Sequence, residues 1–140
     1  MLTNSRTVRI EWGDCDPAGI VYYPRYFAIF DNCTHALFER ALGMTKYQMT
    51  EAYRMIGCPM VDTSARFIVP SRFGDDVVVE SALEEFRRSS FNVRHRLLKG
   101  AVLAVEAFET RVWAIRDPAD PSRIKASPVP QDVIAAFKQT

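Results

Sequence analysis

Polar and apolar residues alternate along residues 5–12, where Val8, Ile10 and Trp12 share one side of an extended chain. A period of two is typical of a half-buried strand, so the first strand is predicted here. The alternation stops at residues 13–19, which contain two glycines and an aspartate that precedes a proline. Because the residue before a proline is pushed out of the helical region, this segment is predicted to form a turn.

A helical pattern begins at Pro24, which suits the first turn of a helix because proline has no N–H to leave unpaired. The apolar side of this helix covers an arc of about 140°. Its members are Tyr23, Phe27, Phe30, Thr34, Leu37, Phe38, Ala41 and Leu42. Gly43 is predicted to end the helix. Asp31 falls inside the apolar arc, where a charge is costly unless another group pairs with it, so Asp31 is a candidate functional residue.

Beyond this helix the pattern becomes mainly extended. Residues 45–56 predict a shorter helix that is capped by Thr45 and closed by Gly57. The remaining predicted elements are strands at 60–69, 75–87, 89–99 and 101–116, an irregular connection at 117–130 and a short helix near 131–139. This order predicts an α+β protein whose largely antiparallel sheet wraps around the long helix. With few helices to cover it, such a sheet is expected to need a partner subunit.

Length and composition are those of one ordinary globular domain over residues 1–140. Hydrophobic residues make up 48% of the chain, charged residues make up 25%, and the formal net charge is +1. This charge gives no reason to expect nucleic acid as a partner. No apolar run is long enough to span a bilayer and the first residues lack the apolar core of a signal peptide, so we expect a cytoplasmic protein without a membrane partner.

The chain offers little for metal or disulfide chemistry. Its three cysteines, Cys15, Cys33 and Cys58, have no Cys-x-x-Cys spacing and are expected to be free thiols. Neither His35 nor His95 lies at a metal-binding spacing, and both are interpreted as core residues. No metal site and no cofactor are predicted. Without a nearby histidine in the sequence, a nucleophilic cysteine is disfavoured as well.

One segment carries a recognisable motif, which reads Asp14-Cys15-Asp16-Pro17-Ala18-Gly19-Ile20-Val21-Tyr22-Tyr23-Pro24. Together with Tyr26 and Asp31 it resembles the hotdog-fold acyl-CoA thioesterases, most closely the 4-hydroxybenzoyl-CoA thioesterase type. The similarity extends over nearly the whole chain. It implies a hotdog fold, in which a curved antiparallel sheet surrounds the long helix. It also implies a homodimer with two active sites at its interface, often assembled into a homotetramer.

The resemblance gives Asp16 and Tyr23 the catalytic roles. The aspartate that matches Asp16 attacks the thioester carbonyl or activates water against it, and the backbone N–H that matches Tyr23 receives the thioester oxygen. The physical chemistry agrees, because thioester hydrolysis needs a nucleophile or base beside the carbonyl and a positive dipole at its oxygen. A helix N-terminus supplies that dipole without a side chain. Asp14 is interpreted as a structural residue of the loop.

The resemblance also predicts the substrate-binding residues, which are Asp31, Cys58, Arg87, Arg88, Ser90 and Lys125. Asp31 has two candidate roles, contact with a polar group of the acyl moiety or pairing with a basic side chain. The basic residues are expected to hold the phosphates of coenzyme A. Two positions depart from the pattern of the family. Cys58 stands in place of a threonine beside the acyl pocket, and Ser89 stands in place of a lysine.

The leading hypothesis is hydrolysis of an aromatic acyl-CoA such as 4-hydroxybenzoyl-CoA to the free acid and CoA. A short-chain aliphatic acyl-CoA thioesterase is an alternative with the same chemistry. Two alternatives come from other classes: a hotdog hydratase or dehydratase, which would need a catalytic histidine, and a non-catalytic acyl-CoA-binding module. The sequence leaves the covalent anhydride and the activated-water mechanisms both open.

Overall fold

The computed structural model describes residues 1–139, which form seven strands and three helices. The strands are β1 (Thr3–Arg9), β2 (Met60–Phe67), β3 (Asp76–Phe86), β4 (Ser90–Lys99), β5 (Val102–Val112), β6 (Ala114–Asp117) and β7 (Asp120–Ala126). The helices are α1 (Tyr23–Leu42), α2 (Lys46–Tyr53) and α3 (Gln131–Lys138). None of these helices is long and apolar enough to cross a bilayer.

Five strands form one antiparallel sheet in the order β1-β3-β4-β5-β2, so that β1 and β2 are its edges. Irregular register within three of the strand pairs adds local twist and bend to the sheet. The fold class is therefore α+β with an antiparallel sheet packed against one long helix, as the sequence predicted.

Helix α1 buries its apolar side against this sheet in two groups of side chains. Near its start, Tyr26 and Phe30 pack with Val77 and Val79 of β3. Near its end, Phe38 packs against Phe91 of β4, with ring centroids 5.2 Å apart. The start of α1 therefore lies beside the start of β3, and its last turns lie beside the hairpin between β3 and β4. The apolar period of 3.6 residues produces this continuous contact.

Helix boundaries follow the predicted caps with one exception. Gly43 ends α1 in a left-handed conformation at φ +67°, and the Thr45 hydroxyl caps α2 by accepting the Gln48 N–H at 3.2 Å. The predicted end of α2 at Gly57 is wrong, because Arg54 already adopts a left-handed conformation at φ +50°. Gly57 instead forms an isolated bridge to β6.

Three predictions about the strands are corrected. Strand β1 ends at Arg9, and Trp12 lies in a short 3-10 turn with 76% of its surface exposed instead of sharing a buried side. The predicted strand at 101–116 is interrupted at Trp113 and forms both β5 and β6. The predicted irregular connection at 117–130 contains β7, which pairs with β6. Pro121 is compatible with β7 because the outer edge of this exposed hairpin pairs with no further strand and so needs no backbone N–H there.

Candidate active site

A tight loop between β1 and α1 holds Asp16. Its chain doubles back through an isolated antiparallel bridge, and the Asp16 N–H donates to the Ile20 carbonyl at 3.0 Å. The Gly19 N–H donates to the Asp16 carbonyl at 2.9 Å, while Gly19 adopts φ +81°, which favours glycine. Oδ1 of Asp16 accepts the Ala18 N–H at 2.9 Å. The turn therefore orients the carboxylate, and Oδ2 makes no hydrogen bond to the described residues.

The start of α1 presents one free backbone donor beside this loop. Tyr22 is the N-cap residue, and its side chain makes no capping hydrogen bond. Pro24 has no N–H, and the Arg25 N–H donates to the Tyr22 carbonyl at 2.8 Å. The Tyr22 N–H is used by the Asp14 carbonyl at 2.8 Å. The Tyr23 N–H is thus the donor of the first turn that remains for an external acceptor, where the helix dipole favours negative charge.

An apolar groove of about 310 Å³ lies against this helix start. Its lining residues are Ile20, Val21, Tyr23, Tyr26, Phe67, Ile68, Val69 and Pro70. At its base, the Tyr26 hydroxyl accepts the Ser71 N–H at 3.3 Å. The structure therefore combines a carboxylate-bearing loop, a helix-end donor and an apolar surface, which are the components that attack on a carbonyl group requires.

A second pocket, of about 360 Å³, contains Asp31 and Cys58. Arg111 of β5 joins these two residues, because its guanidinium donates to Asp31 Oδ1 at 2.9 Å and to the Cys58 carbonyl at 3.1 Å. The structure thus gives Asp31 the basic partner that its position in the apolar arc required. Asp31 lies two helical turns beyond Tyr23 on α1, at an axial distance of about 12 Å.

Arg111 belongs to a polar cluster, which we call the Arg111 cluster: Asp31, Thr34, Ser81, His95, Glu109 and Arg111. All of its members except Asp31 are buried. The Arg111 guanidinium donates to both oxygens of Glu109, at 2.8 and 3.2 Å, and the two side chains are only 4% and 2% exposed. Thr34 donates its hydroxyl to Glu109 at 2.6 Å. His95 lies 3.0 Å from the Thr34 hydroxyl and 2.7 Å from the Ser81 hydroxyl. Every charged group of the cluster therefore has a partner.

Electrostatics keeps the central pair of this cluster ionised. Burial alone would raise the pKa of Glu109, but hydrogen bonds and charge from His95 and Arg111 outweigh it and lower the pKa to about 2. Burial alone would lower the pKa of Arg111, but Glu109 and Asp31 outweigh it and raise that pKa. A permanent cation is thus fixed beside Asp31.

The remaining predicted site residues lie at the other end of α1. Arg87, Arg88 and Ser90 occupy the β3–β4 hairpin, where the Arg87 N–H donates to the Ser90 carbonyl at 2.8 Å. The Arg87 guanidinium donates to Asn92 Oδ1 at 2.7 and 2.6 Å. Lys125 lies exposed in β7, whose end adjoins the same hairpin through backbone hydrogen bonds of Trp113. The structure therefore groups Arg87, Arg88 and Ser90 away from Asp16, whereas Lys125 follows Ile124, which lines the Asp31 pocket.

Of the two histidines that were predicted to lie in the core, only one does so. His95 is fully buried among hydrogen-bond partners, whereas His35 is half-buried on the surface of α1 and lies 2.9 Å from Lys46 Nζ. Burial raises the pKa of Cys58 to about 12 although Arg111 and Lys46 oppose it. Such a thiol is a poor nucleophile at neutral pH. Residues 1–139 contain no group of metal-ligating side chains suited to an ion.

Sequence reasoning missed Thr34, Glu109 and Arg111 as site residues. Glu109 and Arg111 occupy alternate positions of β5 that face α1, in line with buried Val105 and Ala107. Two opposite charges on the buried side of a strand are a recognisable signal, because unpaired charges are excluded from a core. That signal was available in the residue pattern of β5.

Comparison with known proteins shows the family of this chain. The model of the Thioesterase-like superfamily matches residues 10–137. The 4-hydroxybenzoyl-CoA thioesterase of Pseudomonas sp. strain CBS-3 is 36% identical over 132 residues, which cover 90% of this chain and 91% of that protein.

Two solved structures extend the similarity to the fold. A crystal structure of a 4-hydroxybenzoyl-CoA thioesterase mutant in complex with 4-hydroxybenzoyl-CoA superposes with a TM-score of 0.88 at 32% identity, covering 97% of this chain and 99% of that one. A gentisyl-coenzyme A thioesterase superposes with a TM-score of 0.79 at 30% identity, covering 96% and 98%. The chain therefore belongs to the thioesterase-like superfamily, and it is a thioester hydrolase with the hotdog fold.

Proposed function

We propose that this thioester hydrolase cleaves an aromatic acyl-CoA, with 4-hydroxybenzoyl-CoA as the leading candidate, to the free acid and CoA. The observation that carries the proposal is the position of the Asp16 loop next to the helix start, where the Tyr23 N–H is free and an apolar groove lies alongside. The names of two relatives support the aromatic class, because both 4-hydroxybenzoyl and gentisyl groups are hydroxylated aromatic acyl groups. The apolar groove favours a ring over a charged acyl group.

In the proposed reaction the thioester oxygen accepts a hydrogen bond from the Tyr23 N–H, which stabilises negative charge as it develops on that oxygen. Asp16 either attacks the carbonyl carbon directly or removes a proton from the attacking water. Direct attack by Asp16 breaks the C–S bond and leaves the acyl group as an anhydride of Asp16, which water then hydrolyses to the free acid and the regenerated carboxylate. In the other route the attacking water itself displaces CoA from the carbonyl carbon. In both routes CoA leaves as a thiol after gaining a proton. Oδ2 of Asp16 has no hydrogen-bond partner among the described residues, so it is available for this work.

Coenzyme A is proposed to bind through Arg87, Arg88, Ser90 and Lys125. Within one chain, the α1 segment from Tyr23 to Phe38, beside that hairpin, is already about 22 Å long. This is longer than the pantetheine arm of CoA. The phosphate contacts are therefore proposed to come from another copy of the chain. The same reasoning applies to Asp31, since about 12 Å along α1 exceeds the reach of a 4-hydroxybenzoyl group.

The proposed interface of this homodimer is the free edge of strand β2 (Met60–Phe67), which we call the β2 edge. Val61 and Phe67 on it are 60% and 50% exposed. Pairing two such edges would extend the sheet across both copies and cover these side chains. A tetramer would be built from two such dimers. Light scattering should give a multiple of the 15.9 kDa chain mass, and an active monomer would contradict this arrangement.

Thiol release from a panel of acyl-CoAs tests the proposed function. The panel contains 4-hydroxybenzoyl-CoA, benzoyl-CoA and short straight-chain acyl-CoAs. We expect the highest kcat/KM with an aromatic acyl group. Turnover of aliphatic substrates alone would favour the short-chain thioesterase alternative, and tight binding without thiol release would favour an acyl-CoA-binding module. A cytoplasmic location stays a prediction, with which the three free cysteines agree.

A further inference from the structure

We propose that Arg111 is a specificity-determining residue, which fixes the Asp31 carboxylate so that it recognises a hydroxyl group on the acyl ring. This inference rests on the proposed function and deepens it. Arg111 acts through Asp31 and is therefore a positioning residue. Glu109 acts one step further away, because it holds Arg111 in place, and Thr34 and His95 in turn contact Glu109.

Stability alone does not account for a buried arginine at this position. Replacing a buried ion pair by apolar side chains of similar volume is often neutral or stabilising, because two charges must lose their hydration. Around the cluster, Phe30 stacks on His95 with ring centroids 5.0 Å apart, so the site borders an apolar core that could accommodate such side chains. The buried charges of Arg111 and Glu109 therefore need another explanation. The hydrogen bonds of Arg111 supply one, because they reach Asp31 in the lining of the pocket.

The Arg111 guanidinium connects three separate parts of the chain. It donates to Glu109 on its own strand, to the carbonyl of Cys58 before β2, and to Asp31 on α1. The last two residues line the same pocket. A planar guanidinium with five donors suits this task, whereas a lysine ammonium has one nitrogen and cannot reach three such acceptors in fixed directions.

Asp31 retains one oxygen for a ligand. Oδ1 accepts from Arg111 and lies 3.8 Å from His35 Nε2, while Oδ2 makes no hydrogen bond to any residue that the structure describes. The side chain is 48% exposed, although its partner is almost fully buried. Lys46 Nζ lies 2.9 Å from His35 Nε2, so the basic side chain that pairs with Asp31 is Arg111 and not Lys46. A fixed carboxylate with a free oxygen accepts a hydroxyl group well and tolerates an unsubstituted ring poorly.

The decisive quantity is the ratio of kcat/KM for 4-hydroxybenzoyl-CoA to kcat/KM for benzoyl-CoA. We expect Arg111→Lys, which keeps the charge, to lower this ratio about tenfold. A general loss of structure would lower both values together and leave the ratio unchanged. Arg94→Lys is the matched control, because Arg94 donates to Glu106 at 2.6 Å on the opposite face of the sheet. Its ratio should equal that of the wild type.

A double-mutant cycle separates positioning from an independent contact. If Arg111 acts through Asp31, the double variant Asp31→Asn/Arg111→Lys should lose no more of the ratio than Asp31→Asn alone. Additive losses would overturn the proposal, and so would an Arg111→Lys variant with the wild-type ratio. Should Arg111→Lys fail to fold by circular dichroism, Glu109→Gln replaces it, because this substitution loosens the same guanidinium and should lower the ratio in the same direction.

The wild-type protein distinguishes failure of this inference from failure of the proposed function. A wild type that does not prefer 4-hydroxybenzoyl-CoA over benzoyl-CoA would refute both the hydroxylated substrate and the role of Arg111. A wild type with the preference, together with a variant that keeps it, would refute the role of Arg111 alone.

Discussion

The Asp16 loop and the Arg111 cluster hold their carboxylates in opposite ways. Asp16 is oriented by contacts within five residues, and its loop lies near the surface. Asp31 is oriented by Arg111, a residue 80 positions away, and that residue in turn depends on buried Glu109. One site is local and incompletely paired, whereas the other is assembled from distant strands and fully paired at its centre.

This difference agrees with the two proposed roles, in which Asp16 reacts with the substrate and Arg111 positions another residue. A group that attacks a carbonyl must keep a free lone pair, so its own contacts have to be few. A group that positions another residue works better when all its hydrogen bonds are made, because each one removes a way for it to move. Substitutions in the Asp16 loop should therefore affect turnover more than stability, and substitutions in the buried centre of the Arg111 cluster should affect stability strongly.

The largest expected effect is on the stability of the Arg111 cluster. Glu109→Ala leaves the Arg111 guanidinium without its buried partner, so we expect a loss of about 3–5 kcal/mol in the free energy of unfolding. Urea unfolding followed by circular dichroism measures it. Glu106→Ala is the control, since its partner Arg94 is 41% exposed and its pair should contribute about 0–1 kcal/mol. Equal losses in the two variants would remove the distinction between the sites.

The converse variant is Asp16→Asn, which keeps the shape of the side chain but removes its charge. We expect kcat for thiol release to fall about a hundredfold or more, with little change in unfolding free energy. Asp14→Asn is the matched control within the same loop. Asp14 accepts the Glu11 N–H at 2.9 Å, a contact that an amide oxygen can also make, so its activity should stay near wild type. An undiminished Asp16→Asn enzyme would show that the chemistry lies elsewhere.

The third comparison is the loss of folding stability at acidic pH, which depends on the lowered pKa of Glu109. In the folded state this pKa is about 2, below its ordinary value of 4.5. A lowered folded-state pKa contributes stability that is present above the unfolded value and is lost as pH falls through the folded one. The wild type should therefore lose stability as pH falls from about 4.5 towards 2. Glu109→Gln should lack this component, and parallel pH profiles of the two proteins would contradict the assignment.

The smallest expected effect concerns the backbone of the Asp16 loop. Gly19→Ala places a side chain at φ +81°, which costs about 1 kcal/mol of folding stability even though nothing lies within 4 Å of the new Cβ. Gly13→Ala, in the same segment, has open space and no such backbone restriction. Thermal unfolding of the two variants should differ by a few degrees. Identical melting temperatures would mean that the turn at Gly19 is not under conformational restriction.

The local structure around Asp16 could be predicted from sequence because its determinants are adjacent in the chain. The turn around Asp16, the proline in the first turn of α1 and the end of that helix at Gly43 all depend on residues within a few positions. The same logic failed at 117–130, where several prolines suggested irregular structure but β7 pairs with β6. Tertiary pairing outweighed local composition in that hairpin.

The Arg111 cluster was not predicted because its partners are far apart in the sequence. Thr34 and Glu109 are 75 positions apart, and no short motif connects them. Only the strand register, which brings β5 beside β4 and under α1, creates the contact. Asp31 could be singled out by its place in the apolar arc, but the identity of its partner depended on the folded sheet.

The position of β2 at the edge of the sheet has a consequence for biosynthesis. Its neighbour in the sheet is β5, so β2 leaves the ribosome before β3, β4 and its own pairing strand have been made. At typical rates of translation this interval lasts on the order of a few seconds. During that time β2, with its apolar residues Val61 and Phe67, is without its pairing strand β5, and nascent chains on one messenger carry the same strand. The edge proposed to join two finished subunits is thus also an unpaired strand on the newborn chain.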